Sequence, residues 1–196
     1  MDKFALTFLC LLGTQPVSGF EKLDSKYQIQ YRNPNAPVKV VEYFSMRCRK
    51  CFDFFQEDFP EIKKKYVDGG EVFWASHPDP ADLLTLQAMV CLESLHEQQK
   101  PLFFEAVMKH IQDKKHKHGD IVMQAVMEVL GHPLPKLSDF EFLETTSAFK
   151  EAFLFLKQED VVKAIPVVEI NGTLLKSYPT REIVEKEIKH LTRKAS

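Results

Sequence analysis

The run Val38-Lys39-Val40-Val41-Glu42-Tyr43-Phe44 is β-branched, nearly unbroken in apolar character, and stops at Ser45. Such a run reads as a buried strand. The residues after it, Met46-Arg47-Cys48-Arg49-Lys50-Cys51, put a C-x-x-C where the next helix should begin. A helix N-terminus carries free N–H groups and about half a positive charge, so it favours an anion over a neutral group. A cysteine there ionises more easily, and the thiolate is the nucleophile of disulfide exchange. Arg47, Arg49 and Lys50 add three cations to the same segment.

Two other uses of a C-x-x-C are weaker here. Half of a structural zinc site needs two more ligands at suitable spacing. The other cysteines, Cys10 and Cys91, do not form a second pair, and His116-Lys117-His118 reads as a solvated basic loop. A purely structural disulfide across four residues would close too little loop entropy to be a useful staple. Redox chemistry is the reading the pattern favours.

The chain has 196 residues, enough for one domain with a sizeable core. With 28 acidic against 26 basic residues the net charge is −2 and there is no long basic tract, which argues against a nucleic-acid partner. Lys3 followed by the apolar run Phe4 to Leu12, then small residues near Ser18 and Gly19, reads as a signal peptide over 1–19. A buried first helix is the alternative. Cleavage would remove Cys10 and leave a mature domain over 20–196, periplasmic or secreted. So few cysteines do not make a disulfide framework in an exported protein.

A possible edge strand at Tyr27–Tyr31 and a turn at Asn33–Pro37 precede the buried strand 38–44. Phe52, Phe55, Phe59 and Ile62 fall on one face of a helix from about Arg49 to Tyr66, and Pro60 should kink it. A strand follows at 71–75. From about 79 to 157 the pattern is helical: Leu83, Leu86, Val90 and Leu95; Phe103, Val107 and Ile111; Ile121, Ala125, Val126 and Val129; then one or two helices from Phe140 to Leu156. Phe149, Phe153 and Phe155 read as core, and Cys91 as a buried free thiol behaving as a small hydrophobe. β character returns at 166–170, Asn171-Gly172 is a hairpin turn signal, and an amphipathic helix ends the chain over about 179–193. The order predicts an α/β sheet carrying a helical insertion between its strand–helix–strand unit and its C-terminal hairpin.

This layout resembles the thioredoxin superfamily and, more narrowly, its DsbA-like thiol–disulfide oxidoreductases. Glu42 stands six residues before Cys48, where the superfamily often carries a buried acid. Ile165-Pro166 opens the late strand where the family has a cis-proline facing the dithiol, and the long interval from Cys51 matches the family's helical insertion. Two features depart from the family pattern. Arg49-Lys50 replaces the frequent Pro-His, and the next strand reads Trp74-Ala75-Ser76-His77 without the lysine that pairs with the acid in DsbA, leaving His77 as the nearest candidate partner.

The resemblance implies a dithiol oxidase that passes a Cys48–Cys51 disulfide to client proteins with cysteines, and a redox partner that resets it. It implies a monomer and no cofactor beyond that redox-active disulfide. Cys48 is the expected attacking thiol and Cys51 the resolving one. Glu42 would assist proton transfer to Cys51. Pro166 would present the backbone of Ile165 to an extended client, with Arg49 and Lys50 beside it. Simpler roles are a strand-start proline for Pro166 and a strand-end carboxylate reaching solvent for Glu42. A helix terminus is worth up to about 2 kcal/mol and a close cation about 1 kcal/mol in water. Stabilising the thiolate stabilises the reduced protein, so the disulfide is expected to be oxidising. A reductase or isomerase of the same fold, or a thioredoxin-fold chaperone without turnover, are the rival readings.

Overall fold

The alternation of strands and amphipathic segments closes into one mixed sheet with helices packed on it. The computed structural model describes residues 25–31, 34–79, 82–112, 118–134, 136–157 and 164–195. The expected signal peptide over 1–19 lies outside them. Strand β1 (Ile29–Tyr31) follows a short turn of helix at Ser25–Tyr27, and β2 (Val38–Phe44) comes next. A helical run, α1, then extends over 49–67 and leads to β3 (Val72–Pro78). The insertion comprises α2 (Leu83–Leu92), α3 (Gln99–Gln112), α4 (His118–Leu130), α5 (Phe140–Thr145) and α6 (Ser147–Lys157). The chain re-enters the sheet through β4 (Val167–Ile170) and β5 (Thr173–Leu174) and ends in α7 (Arg181–Ala195).

The strand order is β1-β3-β2-β4-β5. β2 is central, parallel to β3 and antiparallel to β4. Parallel pairing requires a crossover, which α1 supplies. Asn171 (φ 46°) and Gly172 (φ 82°) both take left-handed backbone. That is the geometry a two-residue hairpin needs, and Asn171 adds its side-chain oxygen as acceptor for the Lys39 N–H at 2.7 Å.

Helix α1 is continuous but not uniform. It starts as α-helix (Arg49–Asp53), widens to π-type turns (Phe54–Asp58), resumes as α-helix (Phe59–Ile62) and widens again (Lys63–Val67). Proline accounts for the first widening. Pro60 has no N–H to give to Gln56, and its ring would meet that carbonyl in an unbroken α-helix. The Phe59 N–H instead reaches back five residues to Phe54, and Pro60 falls in the first turn of the resumed α-helix, where it is tolerated. The expected kink is thus a change of hydrogen-bond pattern.

Two expectations need correction. β3 runs three residues past the expected 71–75, so Ser76 and His77 are strand residues, buried on opposite faces. Phe153 is 52% exposed, because α6 turns Ala148 and Ala152 inward and leaves the neighbouring phenylalanine outward; Phe149 is half-buried against the core.

Trp74 sits fully buried in the central layer. The Phe54 ring stacks on it at 6.1 Å and Phe59 lies 5.0 Å away. Phe104 of α3 reaches Phe44 at 4.6 Å and Phe55 at 4.7 Å, so the insertion is packed onto both the strand and the helix that flank the cysteines. Replacing Phe54 by Ala should cost about 3–5 kcal/mol of stability through the cavity left against Trp74, read as a lowered urea midpoint at unchanged slope. A loss under about 1 kcal/mol would mean that the site collapses around the missing ring.

Candidate active site

β2 ends at Phe44 and the chain turns through Ser45-Met46-Arg47 into α1. That turn is tied down from the insertion. Asp82 caps α2 by accepting from the Thr85 N–H at 2.9 Å, and also accepts from the Ser45 hydroxyl. The Met46 N–H donates to the Thr85 hydroxyl at 2.9 Å, and the Arg47 N–H to the Ser45 hydroxyl at 3.2 Å. An aspartate three residues before a threonine at the start of an apolar run is a readable capping signal; its reach to Ser45 is not.

Cys48 occupies the N-cap position of α1 and is half-buried. Its sulfur accepts from the Cys51 N–H at 3.2 Å. Cys51, one turn along, is buried, and both are free thiols in this structure. Burial first, and then the hydrogen bond to Cys48, push the Cys51 thiol well above the ordinary range; a backbone hydrogen bond from Ser45 pulls the other way, and the nearby Glu42 charge adds to the rise. Cys51 therefore stays protonated beside a sulfur held by a backbone donor. Across from the pair, the Ile165–Pro166 bond is cis, Pro166 is buried, and the Cys48 thiol donates to the Ile165 carbonyl at 3.7 Å. The structure thus brings Cys51 and Ile165 against Cys48, with Pro166 next in the chain to Ile165.

Glu42 is 1% exposed. Its Oε2 accepts from the Ser76 hydroxyl at 2.8 Å and from the Trp74 indole N–H at 3.4 Å. His77 is not the partner. Glu42 pairs in register with Ser76 and Tyr43 with His77, so the histidine points to the opposite face, its ring 5.9 Å from that of Tyr43. Neutral donors thus stand where a lysine would balance the charge. Burial pushes the Glu42 carboxyl up to about 7, opposed by the smaller pulls of the Ser76 and Trp74 hydrogen bonds.

The basic dipeptide is spent elsewhere. Arg49 is mostly exposed and pairs with Asp53 at 2.8 Å across one turn, its guanidinium 5.6 Å from the Phe52 ring. The Lys50 ammonium lies 5.7 Å from the ring of Tyr178, and the Tyr178 hydroxyl donates to the Lys50 carbonyl at 2.9 Å. Tyr178 carries no sequence signal, being one polar-loop residue between the hairpin and α7. Cys91, on α2, is fully buried as expected, and burial raises its thiol far above the ordinary range. Among the described residues no group of three or more His, Cys, Asp or Glu side chains is arranged to hold a metal.

Residues 24–190 match the family model described as Thioredoxin, and the chain belongs to that family. Within it the likeness is to DsbA-type proteins. The crystal structure of Wolbachia pipientis alpha-DsbA1 superposes with a TM-score of 0.67 at 21% identity, covering 86% of this chain and 92% of that one. The Disulfide bond formation protein D of Bacillus subtilis is 24% identical over 193 residues, 90% of this chain and 83% of the relative. A putative protein-disulfide oxidoreductase of Rickettsia bellii is 24% identical over 159 residues, 77% of this chain, which spans only 60% of that relative's length.

The raised Glu42 carboxyl makes stability depend on pH with a definite sign. The unfolded chain releases this proton near 4.5, whereas the folded chain keeps it to about 7. Folding is therefore unpenalised below about pH 4.5 and loses stability as the pH rises from there through about 7, on the order of 3 kcal/mol in all. Glu42→Gln should remove that slope, matching the wild type at acid pH and exceeding it above neutrality in urea denaturation. Equal slopes in the two proteins would place the carboxyl outside a low-dielectric site.

Proposed function

We propose that this protein is a thiol–disulfide oxidoreductase, and specifically a dithiol oxidase that gives the Cys48–Cys51 disulfide to client proteins. The observation that carries the reading is the division of labour in the pair. Cys48 is accessible and held by a backbone donor, while Cys51 is buried and kept protonated. A client thiolate attacks the Cys48 sulfur of the oxidised pair, the Cys48–Cys51 bond breaks, and a client–Cys48 mixed disulfide forms. The electron pair leaves on Cys51, which takes up a proton; Glu42, an acid near neutrality whose charge is felt at Cys51, is the proton donor of this reading. A second client thiolate then displaces Cys48. The client is oxidised by two electrons and the enzyme is left as the dithiol, to be reoxidised by a redox partner.

The Ile165 carbonyl beside Cys48 offers an extended client a backbone acceptor, with Pro166 fixing that segment. Exposed Arg49 and Lys50 border the approach. The family relatives named for disulfide formation support this direction. Export through the apolar segment at 4–12 is part of the proposal, since an oxidant of thiols needs an oxidising compartment. Among the described residues no helix is long and apolar enough to cross a membrane.

One observation favours a reductase. Arg49 and Lys50 are engaged with Asp53 and Tyr178, so their charges give Cys48 less support than the sequence promises. The glutathione equilibrium of the pair decides: a potential near −120 mV, about that of DsbA, supports the oxidase, and one near −270 mV, about that of thioredoxin, the reductase.

Nucleophile order has its own test. Cys51→Ala, reacted with a disulfide-bonded client, should accumulate a stable mixed disulfide through Cys48, and Cys48→Ala should accumulate none. Equal trapping through Cys51 would overturn the assignment.

A further inference from the structure

Tyr178 lies far from the cysteines in sequence, in the loop after β5, yet its hydroxyl meets the first turn of α1. It donates to the Lys50 carbonyl at 2.9 Å. The amide that owns this carbonyl also owns the Cys51 N–H, and that N–H donates to the Cys48 sulfur at 3.2 Å. The two hydrogen bonds sit at opposite ends of one peptide group. A donor at the carbonyl end draws electron density toward oxygen and makes the N–H a stronger donor, the cooperative polarisation expected of hydrogen-bond chains in a partly buried setting. The Phe54 N–H reaches the same carbonyl from within the helix, so the oxygen takes two donors.

We propose that Tyr178 is a positioning residue for the dithiol, its hydroxyl acting through the Lys50–Cys51 peptide group to strengthen the hydrogen bond that holds the Cys48 sulfur. This rests on the reading of Cys48 as the attacking thiolate. An anionic sulfur gains more from a strengthened N–H than a neutral thiol does. Tyr178 therefore favours the thiolate, and with it the reduced form of the pair. Its phenol is suited to stay protonated. Burial, with the nearby Asp58 and Asp53 charges, raises it above its ordinary range, so it remains a donor where Cys48 reacts. Tyr178 is 37% exposed, so part of it stays in solvent.

The test uses the full chain and glutathione alone, so no client contact enters. Tyr178→Phe keeps the ring and its packing and removes only the donor. The thiolate absorbance titration of Cys48 should move to higher pH. The pair should become about threefold less oxidising against glutathione, which is about 14 mV at 29.6 mV per tenfold. Incorporating 3-fluorotyrosine at 178, whose hydroxyl is a stronger donor, should move both readings the other way, which a merely structural role would not do. The Tyr178→Phe shift should also persist in high salt, while a shift caused by Lys50→Gln should shrink there because an exposed charge is screened. Unchanged titration and equilibrium in Tyr178→Phe, with normal glutathione exchange in the wild type, would overturn this role and leave Cys48 as nucleophile. A wild-type pair that does not exchange with glutathione at all would overturn both.

Discussion

The register of β2 against its two neighbours governs the reactive end of the molecule. β4 runs antiparallel to β2 with Tyr43 opposite Val167, so whatever precedes Val167 must lie just beyond the end of β2. Those residues are Ile165 and Pro166, and what lies beyond β2 is Cys48. A contact between two segments far apart in sequence is thereby fixed by pairing rather than by any affinity between them. The parallel pairing with β3 does the same for the acid, setting Glu42 beside Ser76 on the face that carries Trp74 and α1. A slip of one residue would turn Glu42 to the other face and bring Tyr43 in its place.

The electrostatics around the sulfurs are built from dipoles at short range more than from charges. Arg49 is well solvated and paired, and such a charge is weakened by solvent and salt. The Cys51 N–H, the Ser45 backbone and the Tyr178 hydroxyl are fixed donors that salt does not screen in the same way. The buried carboxyl follows the same plan, being held by a hydroxyl and an indole. Neutral donors stabilise its ionised form less than a paired cation would. Glu42 can therefore exchange its proton near neutrality, which a carboxylate locked to lysine does not do as readily.

Much of this was legible because the informative signals are local. The β-branched run of β2, the cysteine at the start of α1, the Asn171-Gly172 turn and the Ile165-Pro166 pair each declare themselves within a few residues. The failures share the opposite property. The strand expected to end at Ala75 continues, because β2 supplies seven residues of pairing partner and carries β3 to Pro78, a strand end where proline's missing donor costs little. Phe153 looks like core until two alanines take the inward positions on α6. Tyr178 acts across a sequence separation of 128 residues, and nothing in its neighbourhood announces that.

On the proposed reading, a molecule that trades disulfides must also keep its own extra thiols from trading. Cys91 is sealed inside α2 with no exposed surface, and its proton is held far above neutral pH by burial. It can neither reach a mixed disulfide on Cys48 nor present a thiolate to attack it. The third cysteine of the described chain is thus insulated by the same packing that builds the insertion. If Cys48 is the exchanging thiol, the fidelity of that exchange depends on how tightly a helix without any catalytic group stays closed.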